Sequence, residues 1–324
     1  MKPRFIIGSL LLLTLFSIVC WTYLGPALFV QYLLSALTMG AQYSLIAVGY
    51  TMVYGIVRLI NFAHGDVFMV GSFIAFYLLL YLGIPWWFAL VVSMILTGLI
   101  GIVIERFAYR PLRGAPRASL LVTAIAVSFL LENSGNVIFG PQSQPFEVQS
   151  SLVAVRQFSL LGEPVYYQGL LIAVPLVTLL CLLLLGLFNS RSKLGIAIRA
   201  TAQDTEMARM LGVPVNRVIA LVFFIGSALA AVGGVMYSMQ YVQLNPLMGI
   251  LPGIKAFTAA VLGGVGSIPG AALGGIILGL AETFLIAFFP GLTSLQQVFA
   301  LFVLLVILLV RPTGLMGEDM SEKV

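Results

Sequence analysis

Long apolar runs without a charged side chain recur along this chain, Leu170–Phe188 and Val298–Val310 among them. A helix needs roughly 20 predominantly apolar residues to cross the hydrocarbon core of a membrane. Inside lipid no water is available to the backbone, so a spanning segment must be a helix or a strand of a closed barrel. Barrel strands read as short segments of alternating hydropathy. These runs are continuous, which points to helices. Composition closes off the soluble alternative. Of 324 residues 61% are hydrophobic and 8% charged, with a mean hydropathy of +1.11. Soluble domains carry about 25% charged residues, and this chain has no charged shell to offer. The expected fold class is an all-α, polytopic transmembrane helical bundle of about 8–10 spans.

Candidate spans fall at about 5–24, 28–50, 67–82, 86–104, 118–139, 169–188, 218–241, 252–265, 270–289 and 296–310. The eighth is short and rich in glycine, as expected of a broken or re-entrant helix. Lys and Arg give the orientation, because loops on the cytoplasmic side hold them in excess. With a cytoplasmic N-terminus and ten alternating segments, fourteen of the sixteen basic residues fall inside. Arg156 falls outside, and Lys255 falls near the outer boundary. Both termini are therefore expected in the cytoplasm.

The net charge of +5 is a topological feature and no sign of a nucleic-acid partner. Membrane lipid is the solvent. Cys20 and Cys181 lie inside apolar runs and read as small core residues, not as a disulfide framework. The start, Lys2-Pro3-Arg4 followed by an apolar run to about Leu24, fits a signal peptide or a signal anchor. The run is long and lacks a good cleavage site. Residues 1–27 are expected to be a retained signal-anchor helix, 28–316 the main domain and 317–324 a cytoplasmic tail.

Two loops are long. Residues 140–168 are polar and fall outside; residues 189–217 are the most charged stretch and fall inside. The inner one contains a punctuated short helix. Thr201 or Asp204 can cap its start by accepting from orphan N–H groups. Gly212 can supply a left-handed terminating residue, and Pro214 prevents continuation. Met207, Met210 and Leu211 fall at i, i+3 and i+4 on one face, with Glu206 and Arg209 off it. A helix this short is unstable alone, so its apolar face must dock. It either lies on its own protein or on lipid, or serves as a knob for a cytoplasmic partner.

A second polar cluster, Asn61, His64 and Asp66, separates two apolar runs. Intramembrane ionisable groups are functional suspects, and a translocation path or proton relay is one reading. An interfacial loop in which Asp66 caps the next helix is the other. His64 is the only histidine, and no second His or Cys is placed to hold a metal with it. In a third feature Gly266, Gly270 and Gly274 repeat at four-residue spacing, as do Gly275 and Gly279. Such spacing lets helices approach closely. Gly264, Gly266 and Pro269 should break the helix, and broken helices sit where they are buried in protein or line a cavity. Packing and path lining both remain open. Glu132 and Glu282, within apolar runs, should face the bundle interior or an interface.

Three stretches together carry a family resemblance. They are Asn61–Asp66 after a turn at Tyr54–Ile56, Glu105–Pro111, and Lys255–Gly270. They resemble the branched-chain amino-acid ABC importer permeases, of the LivH type, over about residues 28–316. The resemblance identifies the inner helix with a coupling helix. Glu206, Ala208 and Gly212 match its motif, Met207 departs from it, and Asp204 and Arg209 are neighbours. It implies a permease subunit of the bacterial inner membrane, with no cofactor and no catalysis of its own. Leucine, isoleucine and valine would be delivered by a periplasmic binding protein. A LivM-like second permease and two ATP-binding cassette subunits would complete the machine, and the missing Walker motif agrees with ATP hydrolysis elsewhere. Related systems carry urea, short amides or other amino acids. An ion-coupled secondary transporter using His64, Asp66 or Glu282 is the rival; a lone His and scattered Ser make an intramembrane enzyme a poor one.

Overall fold

A computed structural model describes residues 19–317 apart from 149 and 312. Most of the expected signal anchor and nearly all of the expected tail lie outside the described residues; 19–24 are helical and end at Gly25. Eight helices among the described residues are long and apolar enough to cross a membrane. They correspond to eight of the ten runs picked out by hydropathy. The remaining described run is the short Gly-rich one.

The first long helix, α1 (Pro26–Val57), has 32 residues, with proline in its first turn where the missing N–H costs nothing. It spans about 48 Å and continues straight through Tyr54–Ile56, where a turn was expected. Those residues favour helix as much as turn, and the break comes only at Arg58, in the left-handed conformation. The link 58–63 then doubles back along α1. At its end the His64 ring lies edge-on to Tyr50 at 4.8 Å and fills the space beside Gly49. From there α2 (His64–Leu82) leads to α3 (Trp86–Ile104). A π-helical turn, Glu105–Tyr109, and a 3-10 turn, Arg110–Leu112, extend α3. After α4 (Arg117–Phe139) comes the long loop.

That loop holds the described exception to an all-α chain, a hairpin of β1 (Val155–Leu160) and β2 (Glu163–Gln168). Its two-residue connection, Leu161 and Gly162, has positive φ at both positions, the twist that suits a tight hairpin. The chain goes on through α5 (Leu170–Arg191), α6 (Lys193–Gln203), α7 (Thr205–Met210) and α8 (Val215–Tyr241). It ends with α9 (Ile250–Gly263), α10 (Ile268–Phe288), a 3-10 turn (Pro290–Leu295) and α11 (Gln296–Val310).

Helices α1 and α8 form the centre, with α10, α9 and α5 against the first and α2 and α3 against the second. Small residues set these approaches. Gly71 of α2 backs onto Ala231 of α8, and Gly226 of α8 onto Gly49 of α1. Gly275 and Gly279 of α10 lie on Ser44 and Gly40 of α1. Along the glycine stripe Gly263 meets Gly270, and Gly274 meets Ala259, so α9 and α10 pack as a close antiparallel pair. The glycine spacing is thus used for packing. By contrast α11 buries only Ala300 among its described residues, and its remaining apolar surface is left for lipid or another subunit.

Helix α9 has 14 residues, about 21 Å, too short to cross a bilayer. It starts inside the bundle, with Gly249 and Gly253 against Gly65 in the first turn of α2. The segment leading to it is pinned by Gln144 and Leu244, which exchange N–H···O bonds of 2.8 and 2.9 Å. It ends at a link, 264–267, capped by the C-terminal segment through Leu315 N–H to Leu262 O and Met316 N–H to Gly263 O, both 2.9 Å.

Candidate functional site

The inner loop contains two helices where one was expected, α6 and α7, separated by Asp204 in extended conformation. Thr201 does not cap; its hydroxyl donates to Ala197 O within α6. Asp204 does, with Oδ1 accepting from the N–H groups of Glu206 and Met207 at 2.9 Å each. The far end of α7 is a Schellman closure. Val213 N–H reaches Ala208 O, Gly212 N–H reaches Arg209 O, and Gly212 has φ +83°. Ala208 is buried against the bundle, whereas Asp204, Glu206, Arg209 and Gly212 are exposed. Met207, Met210 and Leu211 are exposed at 54%, 79% and 77%. The result is a short, doubly capped knob with its apolar face turned outward.

Next to the knob the chain holds a buried carboxylate. Glu105, in the π-helical turn, is fully buried and accepts from Arg110 Nε and Nη2 at 3.2 and 2.8 Å, and from Arg113. Arg113 also donates to Asn216 at the start of α8, at 2.7 Å. Burial lowers the Arg113 pKa, opposed by the charge of Glu105; an arginine so placed stays cationic. One residue after this turn's Ala108, the Tyr109 hydroxyl donates to Asn61 Oδ1 at 2.6 Å. The π-helical turn thereby connects the knob's root to the 58–63 link.

The link leads to a cavity of about 410 Å³ between α2, α4, α9 and α11. Asp66, 2% exposed, lines it and accepts from Ser128 of α4. Glu132, one turn further along α4, lines it too. The amino ends of α2 and α9 meet there at Gly65 and Gly249. Asp66 does not cap α2: the cap position is Ala63, and Asp66 lies in the first turn.

Of the path residues expected from sequence, Asn61, His64 and Asp66 come together around the link, with Asp66 alone facing the cavity. His64 is 1% exposed, and its Nε2 has no hydrogen-bond partner among the described residues. Gly264, Gly266 and Pro269 lie elsewhere, at the α9–α10 link. Gly264 and Gly266 have φ of +107° and +98° there, and Pro269 sits in the first turn of α10.

Lys255 was expected near an outer boundary. Its side chain points into the bundle, with its Nζ 2.8 Å from Glu282 Oε2 and 3.1 Å from Tyr43 Oη. A lone lysine in an apolar run reads as a boundary residue, and only the fold shows its partner 27 positions away. The signal available was two opposite charges in neighbouring apolar runs.

Comparison with known proteins agrees with this architecture. A family model described as "Branched-chain amino acid transport system / permease component" matches residues 32–308. The chain is 47% identical over 307 residues to the high-affinity branched-chain amino acid transport system permease protein BraD of Pseudomonas aeruginosa, covering 91% of this chain and 98% of that one. It is 41% identical over 306 residues to LivH of Escherichia coli, again covering 91% and 98%. A probable LivH of Methanocaldococcus jannaschii is 31% identical over 295 residues, 86% of this chain and 89% of that one. With a family model and full-length relatives both matching, the chain belongs to the family of permease components of branched-chain amino acid transport systems.

Proposed function

We propose that this protein is a membrane subunit of an ATP-driven importer, moving leucine, isoleucine and valine handed over by a periplasmic binding protein. The bilayer is the bacterial inner membrane, with both termini in the cytoplasm. A second, LivM-like permease shares the path, and two ATP-binding cassette subunits bind below. The observation that carries this reading is the capped knob with its three exposed apolar side chains. A rigid element transmits displacement where a loose loop does not. Asp204 and the Gly212 closure fix the knob at both ends, and Ala208 seats it on the bundle.

The contacts around the knob supply a mechanical route. Its exit leads directly into α8, whose first turn is tied through Asn216 and Arg113 to Glu105. From there Tyr109 reaches Asn61 in the link beside the cavity. Closure of the ATPases would push the knob, rock α8, and shift the link that borders the path.

Replacing Met210 and Leu211 together with Glu tests this. Buried apolar anchors dominate interfaces, so the pair of charges is expected to weaken ATPase association by about 100-fold or more, measured by co-purification and by ATP-driven uptake in proteoliposomes. Membrane insertion should be unchanged. Gly212→Val, which forces a β-branched residue to positive φ, should act in the same direction through the knob's geometry. Normal complex formation and uptake in both variants would rule out the coupling assignment. Uptake of urea but not of leucine by the wild-type complex would overturn the substrate.

A further inference from the structure

We infer that the cavity between α2, α4, α9 and α11 is an intramembrane binding subsite for an apolar α-amino acid, whose ammonium group pairs with Asp66 and Glu132. The inference rests on the proposed transport reading and adds to it a selective site inside the permease itself. Three independent features converge. The volume, about 410 Å³, falls within the range of small-molecule sites. Asp66 is a carboxylate 2% exposed, yet no Lys or Arg pairs with it or with Glu132 among the described residues. Buried carboxylates are expensive unless paired, so a site that keeps one open to a cavity is suited to a cation that arrives there. Ser128 and Glu132 stand one helical turn apart on the same face of α4, opposite Asp66, and Ser128 braces the Asp66 carboxylate.

The remaining walls fit the rest of such a molecule. Ile125, Ile254, Phe257, Leu301 and Leu304 provide an apolar surface for an aliphatic side chain. Beside Asp66, which itself lies in the first turn of α2, the amino ends of α2 and α9 meet at Gly65 and Gly249. Helix amino ends are positive and favour a carboxylate. A zwitterion with an apolar tail finds complementary surface for each of its three parts. A fatty acid lacks a group for the acidic side, and urea lacks one for the apolar wall.

The test uses the assembled complex of both permeases and both ATPases in nanodiscs, without binding protein, and radiolabelled leucine as the probe. Scintillation proximity should show leucine bound, displaced by valine and isoleucine, and not displaced by isocaproate, which lacks the amine. Asp66→Asn should weaken binding about tenfold or more, as expected when one partner of a buried charge pair is lost. Ile254→Trp, which fills the cavity and leaves both carboxylates in place, should also abolish binding. Size-exclusion profiles and melting temperatures like those of the wild type would establish that both variants assemble. Unchanged leucine binding in both assembled variants would overturn the subsite, as would equal displacement by isocaproate. A wild-type complex that performs ATP-driven leucine uptake with its binding protein but binds no leucine alone would remove the subsite and leave the transport reading standing. A complex that takes up no branched-chain amino acid would remove the transport reading itself.

Discussion

Lys255→Met is expected to destabilise the protein by about 3–5 kcal/mol, because it strands a buried carboxylate. Glu282 is fully buried, and its Oε2 accepts from Lys255 at 2.8 Å, from Tyr43 at 3.0 Å and from Gln296 at 3.3 Å. Its Oε1 has no hydrogen-bond partner among the described residues. Without the ammonium, two neutral donors remain for a full negative charge. The pair itself need not add net stability, since taking both ions out of water costs about as much as their attraction returns. The double variant Lys255→Met/Glu282→Leu should therefore recover most of the loss. This ordering, with the single variant far below both wild type and double, distinguishes a pair that holds its place from one that merely forms. Thermal unfolding of the purified protein in detergent would measure it. A single variant no less stable than the double would refute the argument. The position matters because the pair fastens the short α9 to α10, and α9 begins at the cavity.

What hydropathy and local chemistry could reveal here was decided by sequence distance. Spans depend on runs of neighbouring residues, and eight of them were legible. The α7 knob was legible because caps are local: Asp204 reaches only two and three residues ahead, and Gly212 acts on its own φ. One local choice stayed ambiguous. Thr201 and Asp204 carry equally suitable oxygens, and Thr201 is drawn into α6 by the carbonyl of Ala197. The link 58–63 was not legible as a re-entrant segment. Leu59, Ile60, Phe62 and Ala63 are as apolar as the helices they join, and nothing nearby in the chain says that Tyr109 waits for Asn61. The cavity and the Lys255–Glu282 pair are further still from local pattern. Tyr43 and Glu282 stand 239 positions apart. Glycine spacing announced close packing without naming the partner, which proved to be α1 for Gly275 and Gly279 and α9 for Gly270 and Gly274.

Gly40→Val should disrupt the bundle at the α1–α10 contact. A Cβ at Gly40 would stand 2.8 Å from Ile276 Cα and 3.1 Å from Gly275 O. Both are backbone atoms of a buried helix, so no rotamer change relieves the clash and the two helices must separate. Separation would also undo the neighbouring approaches, where Gly279 lies on Gly40 and Ala36, and Ser44 Oγ sits 2.6 Å from Ala272 O. In lipid no hydrophobic force pulls two helices together, and close van der Waals contact takes its place. Overpacking of a tight interior costs about 1–3 kcal/mol and occasionally more, and here two further contacts are lost with it. The expected result is a protein that inserts normally but melts well below wild type and is cleaved faster by protease in detergent. Gly186→Ala on α5 is the matched control. It meets nothing within 4 Å, and helix propensity favours the substitution by about 0.5–1 kcal/mol, so it should leave stability equal or slightly raised. Equal melting of Gly40→Val and Gly186→Ala would show that α1 and α10 are not held by this contact. A fall confined to Gly40→Val ties the stability of the bundle to the glycine faces through which α10, and the half-length α9 paired with it, are seated on α1.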